Sequence, residues 1–304
     1  MVYTKLNPWR LAVKPRSLPK IIVPTVVGVC MGIGAVGAIP PLSLFILALI
    51  IALCAQWSIV LLNDYADLEV DTAHRHHFPE LIDPRVLVEG LLTPSQVLGA
   101  GLLAALGALA TGTVLVLLYE RFLALYLVAI GLVVLWGYSF APLRLNYRGG
   151  GEVLEVMGVG VVLPVTGYYI CAGVLPLSDG HLLVPLVLYA LVGALASGLK
   201  HEPADRANGK YTFCVFFGAR MTRKWIWVAQ MAARFWCGIF FLTGEYGHFA
   251  LLLGALLPAA PMFVTRRFDK EADYRNLAVL KRYKQSLTQA GYLNSVALAL
   301  DFVF

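Results

Sequence analysis

Residues 40–71 read PPLSLFILALIIALCAQWSIVLLNDYADLEVD. Two prolines open the stretch, an almost unbroken apolar run follows, and the run ends in a cluster of carboxylates. About 20 apolar residues are enough to carry a helix across a hydrocarbon core. The stretch therefore reads as one membrane span whose end presents Asn63, Asp64, Asp67 and Asp71 at the surface.

The whole chain supports that reading. Of its 304 residues, 59% are hydrophobic and 14% are charged, against about 25% charged in soluble domains. The mean hydropathy is +0.75. This excludes an ordinary cytosolic enzyme, a disordered chain and a nucleic-acid binder, and leaves a polytopic protein of the lipid bilayer. The five cysteines are odd in number and form no CxxC pair, so they read as small core residues rather than disulfides or metal ligands.

Apolar runs at about 20–39, 41–62, 94–118, 121–140, 152–174, 180–200, 223–243, 246–264 and 286–304 predict nine spans. With the N-terminus in the cytosol, every Lys and Arg except Arg121 and Arg234 falls on the cytosolic side. The positive-inside rule thus predicts nine transmembrane helices, N-terminus cytosolic and C-terminus outside. The basic start carries no cleavable signal pattern. Residues 1–304 read as a single integral-membrane domain with a cytosolic N-terminal segment at 1–19. The inner loops at 63–93, 201–222 and 265–285 are long and polar, whereas outer connections such as 119–121 and 244–245 are short. The chemistry is therefore expected on the cytosolic face.

Asn63, Asp67 and Asp71 are spaced i, i+4, i+8, and Asp64 falls in the same arc of a helix at 100° per residue. Like charges so close repel unless a cation joins them. Hard oxygen donors of this kind suit Mg²⁺, which bridges carboxylates to substrate phosphates. The bland alternative is a solvated acidic helix end, but such a run would mix in Lys or Arg at i+4, and none precedes Arg75. A second polar stretch, Lys200 to Lys210, follows another apolar span. Lys200, Arg206 and Lys210 have the chemistry to hold phosphate oxygens. Glu202 and Asp205 share a face if the helix continues, although Pro203 biases Glu202 away from helix. By itself this stretch reads rather as a basic loop with a Glu202–Arg206 surface pair. A third, Tyr138 to Glu152, is an inner loop with Arg144, Arg148 and three consecutive glycines, without phosphate-loop spacing.

These residues resemble the UbiA superfamily of intramembrane prenyltransferases. Asn63, Asp64, Asp67 and Asp71 match its NDxxDxxxD motif. Arg85 and Gly90 resemble its RPxxxG segment, with Val86 in place of the proline. Asp205, Arg206, Gly209, Lys210, Thr212 and Gly218 resemble its DRxxGKxT segment and the glycine beyond. KPRSLP at 14–19 resembles the start of the MenA-like branch, the dihydroxynaphthoate prenyltransferases.

The resemblance implies an all-α bundle of nine helices around a central cavity. It implies two aspartate-rich motifs that bind an isoprenyl diphosphate through Mg²⁺, and an aromatic acceptor that captures the allylic cation. Carried over, Asn63, Asp64, Asp67 and Asp71 form the first metal site, and Asp205 belongs to the second with Glu202 as a substitute ligand. Arg85, Tyr138, Arg144, Lys200 and Lys210 become diphosphate or substrate contacts. The absence of a transit-peptide pattern favours a bacterial cytoplasmic membrane as the host. One departure stands out: the first Asp of the family's second DxxxD motif falls on His201, a poor Mg²⁺ ligand. Either Glu202 substitutes or the second metal is weak or absent. Two alternatives remain: a terpene cyclase of the same fold, needing no acceptor, and a non-catalytic lipid carrier.

Smaller features read both ways. Gln56 is expected to line the cavity or to bond between helices. Arg234, inside a span, is functional or structural. His74, His76 and His77 read as a solvated loop rather than a zinc site. Tyr168 and Tyr169 are candidates to shield a carbocation.

Overall fold

A backbone inside lipid must satisfy its own hydrogen bonds, so the apolar runs are expected as helices. The computed structural model describes residues 7–81, 83–177, 180–243 and 249–300, and its regular elements are all helical. A short α1 (Pro8–Ala12) and a single 3-10 turn lead into α2 (Pro19–Val36). Then come α3 (Leu42–Ala66), α4 (Leu68–His77), α5 (Pro94–Tyr119) and α6 (Phe122–Ser139). After a turn of helix, α7 (Leu145–Arg148), follow α8 (Gly151–Val156), a π-helical segment Met157–Val162 and α9 (Leu163–Ala172), which run on as one rod. The remainder is α10 (Leu183–Ala207), α11 (Phe213–Thr243), α12 (Phe249–Leu256), α13 (Ala259–Phe268) and α14 (Leu277–Leu300).

Among the described residues, eight helical stretches are long and apolar enough to cross a membrane. They correspond to the first eight expected spans. The ninth, expected at 286–304, differs. α14 starts at Leu277 and carries Lys281, Arg282, Lys284, Gln285 and Gln289, so it is long enough but too polar to qualify. It still packs against α2, α10, α12 and α13. The expected outer turn at 244–245, Lys5, and the end of the ninth span at 301–304 lie outside the described residues.

Three further departures have local causes. α10 continues through Pro203 to Ala207, so Glu202 is helical after all. α11 begins ten residues before the expected 223, because Phe213–Phe217 already form a helical turn ahead of Gly218 (φ 76°, ψ 162°), a conformation that favours glycine. The eighth span breaks at Leu257–Pro258, where proline cannot donate an N–H.

That break explains Arg234. Its Nε donates to the carbonyl of Ala255 at 2.7 Å, and its Nη1 lies 3.8 Å from the Met262 sulfur. The intramembrane arginine therefore ties α11 to the carbonyl end of α12. Elsewhere, packing is set by small residues. α2 crosses α9 so tightly that a Cβ at Gly28 would run into the Pro164 carbonyl, and one at Gly167 into that of Thr25; such close backbone approach is how membrane helices associate.

Arg234→Leu is expected to strip the Ala255 carbonyl of its partner and to cost about 1–3 kcal/mol. The thermal unfolding midpoint of the detergent-solubilised variant should fall, while its turnover at low temperature should stay near that of the parent. An unchanged midpoint would show that the bond stabilises nothing.

Candidate active site at the cavity mouth

The acidic run after α3 does not form one unbroken helix. Asp67 (φ −95°, ψ 5°) interrupts it between α3 and α4. The expected spacing survives, because Asp67 N donates to Asn63 O and Asp71 N to Asp67 O. Asp64, Asp67 and Asp71 are 2%, 5% and 8% exposed. The solvated-end alternative is thereby removed: these carboxylates are buried.

Buried charges need partners, and each carboxylate has found one. Asp64 Oδ1 accepts from Lys14 Nζ at 2.6 Å and from Arg85 Nη1 at 2.5 Å. Arg85 Nε reaches Asp71 Oδ2 at 3.4 Å. Asp67 Oδ1 accepts from the Tyr147 hydroxyl at 2.6 Å, and its Oδ2 faces Lys210 Nζ at 3.6 Å. Asn63 joins the set through Asp67 and through Ser139, whose hydroxyl donates to Asn63 Oδ1. Lys14 and Arg85 come from segments held down by apolar packing. Ala12, Val86 and Leu87 are buried against Val60, Leu61 and Val97. Val86, which stands where the family has proline, is one of these anchors.

The electrostatics follow. Burial pushes the Asp71 carboxyl above its usual value, and Asp67 and Asp64 add to the push while Arg85 opposes it. Burial weakens the Lys14 ammonium, as does neighbouring Arg85, against the pull of Asp64. Burial opposes the Arg85 charge too, but Asp64 and Asp71 outweigh it and hold the guanidinium above its ordinary value. Burial and Asp67 keep the Tyr147 phenol protonated. Lys14 (φ 45°) and Arg144 (φ 42°) both sit in the left-handed region that non-glycine residues rarely occupy. Arg144 stacks over Tyr147, 3.8 Å from its ring centre, and donates weakly to the Ala66 carbonyl.

Directly beside this cluster opens a cavity of about 280 Å³ between α2, α3, α6 and the α8–α9 rod. Lys14, Ser17, Gln56, Asn63 and Tyr138 stand among its lining, and the rest of the wall is mainly aliphatic, including Ile51, Ala108, Val128 and Leu163. Gln56 lines the cavity, and its amide donates at 2.6 Å to Ser17 in the 3-10 turn before α2 rather than to another membrane helix. The π-helical segment contributes Gly158, Val159 and Val162 to this wall. It ends just before Pro164, whose missing N–H leaves the Gly160 carbonyl without its α-helical donor. Lys20 of α2 meets Glu155 of α8 at 2.5 Å on the same wall.

The second stretch is brought only partly to the site. Asp205 is buried and lies in the field of Lys210, Asp67 and Glu152. Glu202 is not brought there; it is held by Arg206, which also donates to the Val215 carbonyl. Lys200 pairs with the exposed Asp83 at 3.0 Å. Glu152 accepts from the Phe213 N–H and so anchors the start of α11. Tyr168 and Tyr169 pack in the core, away from the cavity lining. Of the three histidines, His76 and His77 are exposed, but His74 is 5% exposed. Tyr147 was readable only as part of an inner loop, and Lys14 only within a proline-flanked basic segment; neither spacing announces the carboxylate it meets.

The first motif fits a small, hard divalent cation. Its donors are carboxylate oxygens, and Asp64 Oδ2 is buried with no hydrogen-bond partner among the described residues. Among the described residues, no three His, Cys, Asp or Glu side chains form a ready-made cage. Mg²⁺ does not demand one, since it takes one or two carboxylates and fills its shell with water and substrate phosphate.

The sequence profile of the UbiA prenyltransferase family matches residues 21–284. The fold is similar to solved UbiA homologues. One from Archaeoglobus fulgidus, bound to GPP and Mg²⁺, superposes with a TM-score of 0.72 at 16% identity, over 98% of this chain and 99% of that one. The apo homologue from Aeropyrum pernix K1 gives 0.67 at 15% identity, over 93% and 98%. A digeranylgeranylglyceryl phosphate synthase gives 0.65 at 14% identity, over 97% and 98%. No curated protein matches the chain in a sequence search.

Arg85→Gln removes a side chain that touches both Asp64 and Asp71. Turnover of a prenyl diphosphate should fall roughly 100- to 1,000-fold, the cost of losing one preorganised partner of a developing charge. Tyr147→Phe, which removes a single hydrogen bond from Asp67, should cost about tenfold or less. A steady-state assay of diphosphate release ranks the two, and the reverse order would contradict the geometry.

Proposed function

The chain belongs to the UbiA prenyltransferase family, and from that premise we propose that it transfers a prenyl group from an isoprenyl diphosphate to an aromatic, quinone-precursor-like acceptor of the dihydroxynaphthoate kind. It is a multi-pass integral membrane protein. In this reading it has nine spans with its N-terminus in the cytosol, and the site opens on the cytosolic side. The observation that carries the proposal is the junction of buried carboxylates, with their lysine and arginine partners, and an aliphatic cavity.

The residues divide the work by chemistry. The aliphatic wall takes the hydrocarbon tail and keeps water from an allylic cation. Asn63, Asp64, Asp67 and Asp71 would hold the metal, with Asp205 facing them from α10. When bound, Mg²⁺ neutralises charge on the diphosphate as the allylic C–O bond breaks. Lys14 and Arg85 are paired with Asp64, and in this reading they would stabilise the departing diphosphate oxygens as these gather charge. Arg144 and Lys210 both lie over the Tyr147 ring, 3.8 and 5.2 Å from its centre. The diphosphate leaves with the bonding electron pair, and an electron-rich ring carbon attacks the cation. The products are the prenylated ring, diphosphate and a proton. Tyr138, at the cavity lining, is placed to meet the reacting end of the chain.

Purified protein in nanodiscs, supplied with geranyl or farnesyl diphosphate and Mg²⁺, should release diphosphate only after a dihydroxynaphthoate or hydroxybenzoate is added. Mass spectrometry should then find the acceptor heavier by one prenyl group. EDTA should abolish turnover and excess Mg²⁺ restore it. Cyclic hydrocarbon formed without acceptor would replace this reading with cyclisation, and turnover indifferent to EDTA would remove the metal from it.

A further inference from the structure

The second acidic motif does not offer what a divalent ion needs. Its first position is His201, and the neighbouring carboxylate, Glu202, is turned to Arg206, a partner one helical turn away. Asp205 is left as the one carboxylate of this motif on the site's side. His201 and Asp205 are i and i+4, hence on one face of α10, whereas Glu202 is rotated by 100°.

What His201 meets instead is another imidazole. The rings of His74 and His201 lie edge to face with centroids 5.4 Å apart. His74 is only 5% exposed, and among the described residues its Nε2 has no hydrogen-bond partner. A buried ring nitrogen without a partner is costly unless something binds there. The surroundings state the sign of that something. His201 lies in the electrostatic field of Lys200 and Lys284, and His74 in that of Arg85, Lys200 and Lys210. Burial and these cations hold the His74 imidazole neutral, with a pKa of about 4. A neutral imidazole still donates one N–H. Lys200 pairs with Asp83, whose side chain is 85% exposed, and such a rim pair is weak and easily exchanged. Of this motif's own carboxylates only Asp205 is free of such a pair, and the positive field of the four basic side chains lies over the two rings, which suits an anion and not a second metal.

We propose that the second acidic motif of this chain holds no divalent ion, and that His74 and His201, in the field of Lys200 and Lys284, take diphosphate oxygens directly in its place. This rests on the prenyl-diphosphate reading above and refines it: one metal ion at the first motif, and protein cations and imidazoles where the family's second motif supplies carboxylates. Lys284 and His74 thereby become substrate-binding residues contributed by α14 and α4.

The test counts metal ions rather than turnover. Full-length protein in nanodiscs is titrated with Mn²⁺ in the presence of geranyl thiolodiphosphate, an analogue slow to ionise, and free Mn²⁺ is read by electron paramagnetic resonance. The expected result is one Mn²⁺ per bound analogue for the parent and two for His201→Asp, which restores the carboxylate. Two Mn²⁺ per analogue in the parent would overturn the proposal and leave the prenyl-diphosphate reading intact. Failure of the analogue to bind at any Mn²⁺ concentration would overturn that reading itself, and the proposal with it. Should His201→Asp fail to fold, His74→Gln serves: analogue affinity should drop about tenfold with the count still at one. Unchanged affinity in that variant would overturn the direct contact.

Discussion

Three carboxylates are held out of water at the end of a membrane helix, and the architecture around them answers that fact. Two unit charges 4 Å apart interact by about 4 kcal/mol at the effective dielectric constant of a partly buried site. A cluster of Asp64, Asp67 and Asp71 would be untenable alone. Lys14 arrives from the N-terminal segment, Arg85 from the loop after α4, and Lys210 and Tyr147 from beyond α6 and α10. Four distant parts of the chain are thus pinned to one point by charge. The apolar anchors Ala12, Val86 and Leu87 keep two of them there. The same requirement makes the place chemically useful, because counter-charges gathered for the protein's own carboxylates can be turned toward a diphosphate.

The neighbouring cavity completes the arrangement. Charge and grease meet at Asn63 and Lys14, which belong to both the carboxylate network and the cavity lining. An amphiphile with a polyanionic head and a hydrocarbon tail fits that boundary, with its scissile bond at the join. The π-helical turn before Pro164 and the Lys20–Glu155 pair shape the wall on the α8 side.

Much of this was legible in the sequence, for physical reasons. Long apolar runs have one stable form in lipid, so eight spans could be placed from composition. The NDxxDxxxD spacing announced the carboxylates, because an i, i+4 repeat survives even the interruption at Asp67. Periodicity carries no information about contacts between distant segments. Nothing local marks Tyr147 as the partner of Asp67, or His74 as different from His76 and His77. Proline also misled: Pro203 sits inside α10 without breaking it, whereas Pro258 does end a helix, since packing decides whether a lost hydrogen bond is tolerated. The burial of Tyr168 and Tyr169 in the core shows the same limit, as an aromatic in a span has no signature that separates wall from packing.

The bond between Arg234 and Ala255 has a consequence for how the chain is made. α11 emerges from the ribosome before α12, so its arginine must enter the bilayer ahead of the carbonyl that will receive it. An unpaired arginine at the centre of a membrane helix costs about 2.5–3.5 kcal/mol at the insertion step. That cost is relieved only when the segment bearing Ala255 follows. Biogenesis is therefore easiest if the two helices leave the translocon together as a hairpin, with the arginine sheltered between them and never shown to lipid on its own.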